Sequence, residues 1–333
     1  MRRTVVLFVL GLGVAQTAAA LNIVVTNDDG FETANIRALQ ARLREAGHDV
    51  LVAAPTQNNS GKGGAMNFLT PVTPLAKASR WGTVPAGAAG VGVAPDDGDV
   101  FYVDGTPVMS LLYGLDVVAA RRWGGQPDLV ISGPNEGSNT GHINNSSGTV
   151  NNALYGINRG IPSIAVSYAG ATGRSFEALT EGAVEYDVAE VVVRIVGQLE
   201  ETAQPHQPLL PKGVGLNVNI PTLTPGQGAS VPLALSRLGL ATTYAPVFFE
   251  KLSDSALAKA YGLGSVNLPG ISMIAPGETP PAGVVVPGDQ DPKSEGNVVA
   301  GGKVSISVIQ GLPQAEQAQE SRVGARLGIR NSR

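Results

Sequence analysis

Cysteine is absent from the 333 residues. That excludes a thiolate nucleophile, a Cys-ligated zinc and any disulfide framework, while leaving the compartment open. Histidine is almost as scarce, with only His48, His142 and His206, so a multi-histidine metal centre would need all three to converge. The 23 Lys and Arg against 27 Asp and Glu give a net charge of -4 with no basic block. The sequence therefore lacks the electrostatic footprint of a nucleic-acid or anionic-membrane binder. Long hydrophobic runs are missing too, since no stretch beyond the first twenty residues approaches the ~20 apolar residues a membrane span requires.

What is present points to a folded α/β chain. Hydrophobic residues make up 43%, enough for a sizeable core. The 43 Gly and 23 Pro together are about a fifth of the chain, so long loops should hang from a regular scaffold and carry the function. The amino terminus has the pattern of a signal peptide: basic Arg2 and Arg3, an apolar run from Val5 to Val14, and small Ala18, Ala19 and Ala20. The expectation is an exported protein, periplasmic or secreted, cleaved near Ala20. Ten apolar residues are too few to act as an anchor instead.

Along the chain, Leu21 to Thr26 reads as a buried strand that stops at the polar turn Asn27-Asp28-Asp29-Gly30. Ile36, Leu39, Leu43 and Ala46 then recur at helical spacing, and Val50 to Ala54 forms a second apolar run. Strand, helix and strand within about 35 residues make a right-handed βαβ unit and hence a parallel sheet. Further strands are expected at Leu129 to Ile131, Ile161 to Ser167, Val214 to Ile220 and Lys303 to Ile309. Helices are expected near Thr149 to Arg159, over Phe176 to Leu199, and from Gln314 to Leu327. The whole reads as a doubly wound, mostly parallel α/β core over 21–221. Residues 222–333 read as a less regular carboxy-terminal extension of the same domain that either extends the sheet or forms an arm, and Thr70 to Asp99 is an excursion.

Open parallel sheets bind ligands outside the carboxyl ends of their strands. Three loops fall there: Asn27 to Gly30, Asn58-Asn59-Ser60-Gly61, and Ser132 to Gly137 with Asn135. The adjacent carboxylates of Asp28 and Asp29 repel unless a cation sits between them, and with amide and hydroxyl oxygens they make a hard donor set suited to Mg²⁺, Mn²⁺ or Ca²⁺. Each loop has a plainer reading, since Asn, Asp, Ser and Gly are also ordinary turn residues. Their shared sheet edge favours the site. Ser146-Ser147-Gly148-Thr149 precedes a helix and can present free N–H groups to a phosphate, or simply cap that helix. Lys62 among glycines could be a phosphate cation or a solvated loop residue. His142 could donate a proton or sit on the surface, and Thr106 could start a helix or face the site.

Taken together, Thr26-Asn27-Asp28-Asp29-Gly30, Ala54-Pro55 with Ser60-Gly61, and Gly105-Thr106-Pro107 resemble the SurE family of metal-dependent nucleotidases and acid phosphatases. So do Pro127 to Gly133 with Asn135, Gly137 to Gly141, Ser147 to Val150 and Leu216 to Pro221. The resemblance implies hydrolysis of nucleoside 5'- or 3'-monophosphates and other phosphomonoesters. It implies a divalent metal held by Asp28, Asp29, Ser60 and Asn135, with Asn139, Ser147, Gly148 and Thr149 around the substrate phosphate. Asp28, nearest the strand end, is the expected general base, with Asp29 beside it as a catalytic residue. A Rossmann-like core with an arm that makes a homodimer or homotetramer is implied as well. The rival from another class is an exported α/β solute-binding protein without catalytic activity, which would show no phosphomonoester turnover with any metal.

Overall fold

The computed structural model describes residues 20–170, 173–204, 207–242, 244–275, 278–313 and 317–327. His206 and residues 1–19, which hold most of the expected signal peptide, lie outside them. The first half of the chain runs β1 (Asn22–Thr26), α1 (Ala34–Glu45), β2 (Asp49–Pro55), β3 (Val91–Val93), β4 (Val100–Val103), α2 (Pro107–Tyr113), α3 (Ala120–Trp123), β5 (Leu129–Glu136) and α4 (Gly148–Asn158). The second half runs β6 (Ser163–Tyr168), α5 (Val184–Thr202), β7 (Val214–Ile220), β8 (Leu233–Leu235), β9 (Ala245–Phe249), α6 (Ala256–Ala260), β10 (Gly270–Ile274), α7 (Glu295–Ala300), β11 (Val304–Gln310) and α8 (Gln317–Arg326).

Nine strands form one sheet in the order β3-β4-β2-β1-β5-β6-β7-β11-β8. The six from β4 to β7 are parallel to their neighbours, whereas β3 and β11 pair antiparallel with β4 and β7. The chain moves outward from β1 to β2 and β4, then returns to the other flank of β1 as β5. That reversal opens a crevice between the carboxyl ends of β1 and β5, where doubly wound sheets bind ligands.

Both faces of the sheet are covered, so its central strands are apolar almost throughout. Ile36, Leu39 and Leu43 of α1 and Val188, Val192 and Ile195 of α5 pack with Ile23, Val25, Ile131 and Val166. On the opposite face, Leu111 and Leu115 meet Val24 and Val130. Each such buried side chain contributes about 1.5–3 kcal/mol.

Three details refine the sequence reading. The long helix starts at Val184 rather than near Phe176, because Gly182 turns through φ +77° and Ala183 is extended; Phe176–Ala178 is a separate short turn. The excursion before Asp99 contains β3, and it leads into β4, four residues too short to register as a strand by period alone. Beyond Ile220 the chain does two things: β8 and β11 extend the sheet, and β9 and β10 form a separate antiparallel pair.

Candidate active site

The turn after β1 is locked by Asn27. Its Oδ1 accepts the Gly30 N–H at 3.1 Å, and its Nδ2 donates to Gly30 O at 3.0 Å and to Thr33 Oγ1 at 3.2 Å. With the backbone fixed, the two neighbouring carboxylates face different loops. Asp28 Oδ1 accepts from Thr149 Oγ1 at 2.6 Å, at the start of α4, and the Gly148 amide is a further donor to it. Asp29 Oδ2 accepts the Glu136 N–H at 2.9 Å, at the end of β5, and Oδ1 accepts from Asn58 Nδ2 at 3.2 Å. The Asn59 N–H donates to Asp28 O at 2.7 Å. One turn thus gathers the loops after β2 and β5 and the amino end of α4.

Both carboxyls are buried. Burial raises the Asp28 pKa, with Glu136 adding to it, against the bonds from Thr149 and the backbone. Asp29 is pushed well up, first by burial and then by the charges of Asp28 and Glu136, against the Glu136 N–H and Arg80. Two adjacent buried acids, both raised by burial and by the nearby Glu136 charge, suit a bound cation. Among the described residues no three His, Asp or Glu side chains come together as a ready-made metal cage. A cation would therefore draw on oxygen donors such as Asn135 and Ser60. Asn135 is buried and directs its Nδ2 to Gly137 O at 2.8 Å, leaving the carbonyl oxygen on the other side of the amide. Ser60 is exposed, and its N–H is bound to Oδ1 of Asn58, whose amide reaches Asp29. The residues present fit a hard divalent ion.

The phosphate candidates adjoin this turn. Ser147 caps α4, accepting the Val150 N–H at 3.1 Å, so its hydroxyl takes the capping role. Gly148 permits the approach of α4 to the acid: a Cβ there would lie 2.6 Å from Asp28 Cβ and 2.9 Å from Pro107 Cγ. Thr149 commits its hydroxyl to Asp28. Asn139 is buried, with Nδ2 donating to Ser167 Oγ at 2.9 Å. The Gly63 N–H donates to Ser146 O at 3.0 Å, so the loop bearing Lys62 lies against the same helix start. Thr106 caps α2 and donates to Ala65 O. His142 is half-buried in a short turn, with Nδ1 unpartnered among the described residues. His48 lies at the other end of β2, accepting the Leu21 N–H.

Sequence reasoning missed Arg80 and Glu32. Arg80 donates to Asp29 O at 3.0 Å and to both Glu136 carboxylate oxygens, at 3.4 and 3.1 Å, and its guanidinium stacks 4.2 Å from the Trp81 ring. Glu32, fully buried, holds that segment by accepting from Ser79 Oγ and from the Trp81 and Thr83 amides. Residues 79–84 sit in the Gly- and Pro-rich excursion, where nothing in the local pattern marks a cation for the site.

Comparison with known proteins agrees with this architecture. The family described as "Survival protein SurE" matches residues 23–242. An "Acid phosphatase" from Yarrowia lipolytica is 38% identical over 209 residues, covering 60% of this chain and 56% of that protein. A "5'-nucleotidase SurE" from Gloeobacter violaceus is 33% identical, covering 78% of this chain and 86% of its own. The crystal structure of a SurE protein from Aquifex aeolicus superimposes with a TM-score of 0.62 at 25% identity, over 92% of this chain and 99% of that one.

Proposed function

Because the chain belongs to the SurE family, we propose that it is a divalent-metal-dependent phosphomonoesterase acting on nucleoside 5'- or 3'-monophosphates and related phosphomonoesters. The observation that carries this reading is the divergence of two adjacent buried carboxylates from one turn, Asp28 to the start of α4 and Asp29 to the end of β5. The names of the relatives, nucleotidases and an acid phosphatase, support the same reaction class.

In this reading Asp28, Asp29, Asn135 and Ser60 hold Mg²⁺ or Mn²⁺. When bound, the ion would supply Lewis-acid stabilisation of a phosphoryl oxygen and would make water more acidic. The chain's own residues do the rest. Asp28 serves as general base, its orientation fixed by the Thr149 hydroxyl and the Gly148 amide. The helix dipole at the start of α4 stabilises the phosphoryl oxygens as negative charge develops on them. Asn139, anchored on Ser167, borders the phosphate. Arg80 holds Glu136 and the Asp29 carbonyl, which keeps two site loops in register.

Export through an amino-terminal signal and assembly into a homodimer or homotetramer belong to the proposal. Amino-terminal sequencing of the protein recovered from outside the cytoplasm should begin near Leu21, and light scattering should give two or four chains. For the activity itself, purified protein should hydrolyse p-nitrophenyl phosphate and nucleoside monophosphates, lose turnover in chelator and regain it with Mg²⁺ or Mn²⁺. Asp28→Asn should cut kcat by at least about a hundredfold, in the range of removing a general base. Turnover undiminished by chelator, or by Asp28→Asn, would sink the metal-site reading.

A further inference from the structure

Glu295 is the first residue of α7, the short helix that brings the chain back from the arm, and it lies beyond the family match that ends at residue 242. Its side chain is fully buried. A carboxylate persists in such a place only when its oxygens are satisfied. Oε2 accepts the Gly141 N–H at 3.3 Å and Asn144 Nδ2 at 3.1 Å. Oε1 accepts Asn217 Nδ2 at 2.7 Å, and the Ser307 hydroxyl is a fourth donor. Every partner donates, so the pocket suits an acceptor-only group.

The bonds continue toward the candidate site. Asn217 Nδ2 also reaches Asn139 O at 3.2 Å, and Asn219 Nδ2 reaches the same oxygen at 2.9 Å. Asn219 Oδ1 accepts the Asn139 N–H at 2.8 Å. Asn139 is therefore clamped at its amide and its carbonyl from β7, and at its side chain from β6. Packing leaves little slack around this clamp. A Cβ on Gly141 would lie 2.8 Å from Ala241 O, and one on Gly296 would lie 2.6 Å from that same oxygen. The segment 139–144, the base of the arm and α7 are wedged together.

We propose that Glu295 is a positioning residue: it fixes the backbone of the segment from Asn139 to Asn144, and so makes the site's grip on a phosphoryl group depend on the carboxy-terminal segment. The inference rests on the reading of Asn139 and the start of α4 as the phosphate pocket. It adds an acid that touches no substrate and reaches the pocket only through Asn217, Asn144 and the Gly141 amide.

The test compares full-length parental protein with Glu295→Gln, Glu295→Asp and Asn144→Ala. Each is assayed for KM and kcat on p-nitrophenyl phosphate, for the Ki of inorganic phosphate and for Tm. Glu295→Gln keeps the size but turns an amide NH₂ toward donors; KM and phosphate Ki should rise about tenfold, with a smaller change in kcat. Glu295→Asp, which keeps the charge, should recover part of that loss. A purely structural acid would lower Tm and leave KM and Ki at parental values in the folded protein, and that result overturns the proposal. If Glu295→Gln does not fold, Asn144→Ala decides: a raised phosphate Ki supports the proposal and a parental one removes it. A parental protein that neither hydrolyses phosphomonoesters nor binds phosphate defeats the phosphatase reading itself, and is recognised before any variant is compared.

Discussion

Strand β6, in the middle of the sheet, is buried at every position, whereas β9, in the arm, alternates buried and exposed along its length. The two strands obey different rules. A strand covered on both faces must be apolar or have each polar group bonded, so Ser167 on β6 and Asn217 and Asn219 on β7 are there for what they hold. A strand with one wet face can carry Phe248 exposed at 65%, opposite the equally exposed Ile271, with no consequence for the core. Polar residues therefore carry information in the first region, and exposed apolar residues carry it in the second.

The contrast breaks most sharply at Gly148. Gly148→Ala forces a methyl group against the Asp28 side chain, and kcat/KM should fall about a hundredfold or more even where the fold survives. Steady-state kinetics with a circular dichroism control would check it. Next is the core: Leu39→Ala, at a fully buried position of α1, should cost about 2–5 kcal/mol in urea unfolding without changing kcat in the folded protein.

The pH dependence probes the junction between the two regions. Burial pushes the Glu295 carboxyl up to about 7, against the bonds from Asn144, Ser307, Asn217 and Gly141. Its folded pKa exceeds its unfolded value of 4.5. The group's stabilising contribution is thus complete below that value and lost as pH rises through about 7, a loss of roughly 3 kcal/mol at most. Asp28 and Asp29, also raised by burial, add slope of the same sign. The difference between parental and Glu295→Gln urea midpoints from pH 4.5 to 8 isolates the Glu295 part, and parallel profiles would contradict it.

Two smaller effects sharpen the comparison. A Cβ at Gly197, inside α5, meets nothing within 4 Å, so Gly197→Ala should stabilise by about 0.5–1 kcal/mol, the reverse of Gly148. Phe248→Ser on the exposed face of the arm should change monomer stability by about 0.5 kcal/mol or less. A larger loss would mean that this face is covered in solution.

Much of the core was legible because its signals are local. β1, β2, β5 and β6 are short apolar runs and β7 alternates as a strand does, while Asp28, Asp29, Asn135 and Ser147 to Thr149 lie where a parallel sheet presents its strand ends. The rest is written in contacts between distant residues. Arg80 meets Glu136 across 56 positions, and Glu295 meets Gly141 across 154. In sequence, Lys293-Ser294-Glu295-Gly296-Asn297 has the composition of a solvated loop, and no periodicity reveals that its acid is buried. Glu32 hides in the same way, as a charged residue beside a turn. The start of α5 was misread because Leu179 continues the helical spacing while Gly182 breaks the backbone.

Strand β11 sits between β7 and β8 in space but follows β8 by some seventy residues along the chain. As the polypeptide is synthesised, β7 remains an open edge with unpaired amides until residues 304–310 emerge, and β8 has no partner before then. The sheet closes only once β11 is in place, so chains that stop or stall before it would carry an exposed, adhesive edge.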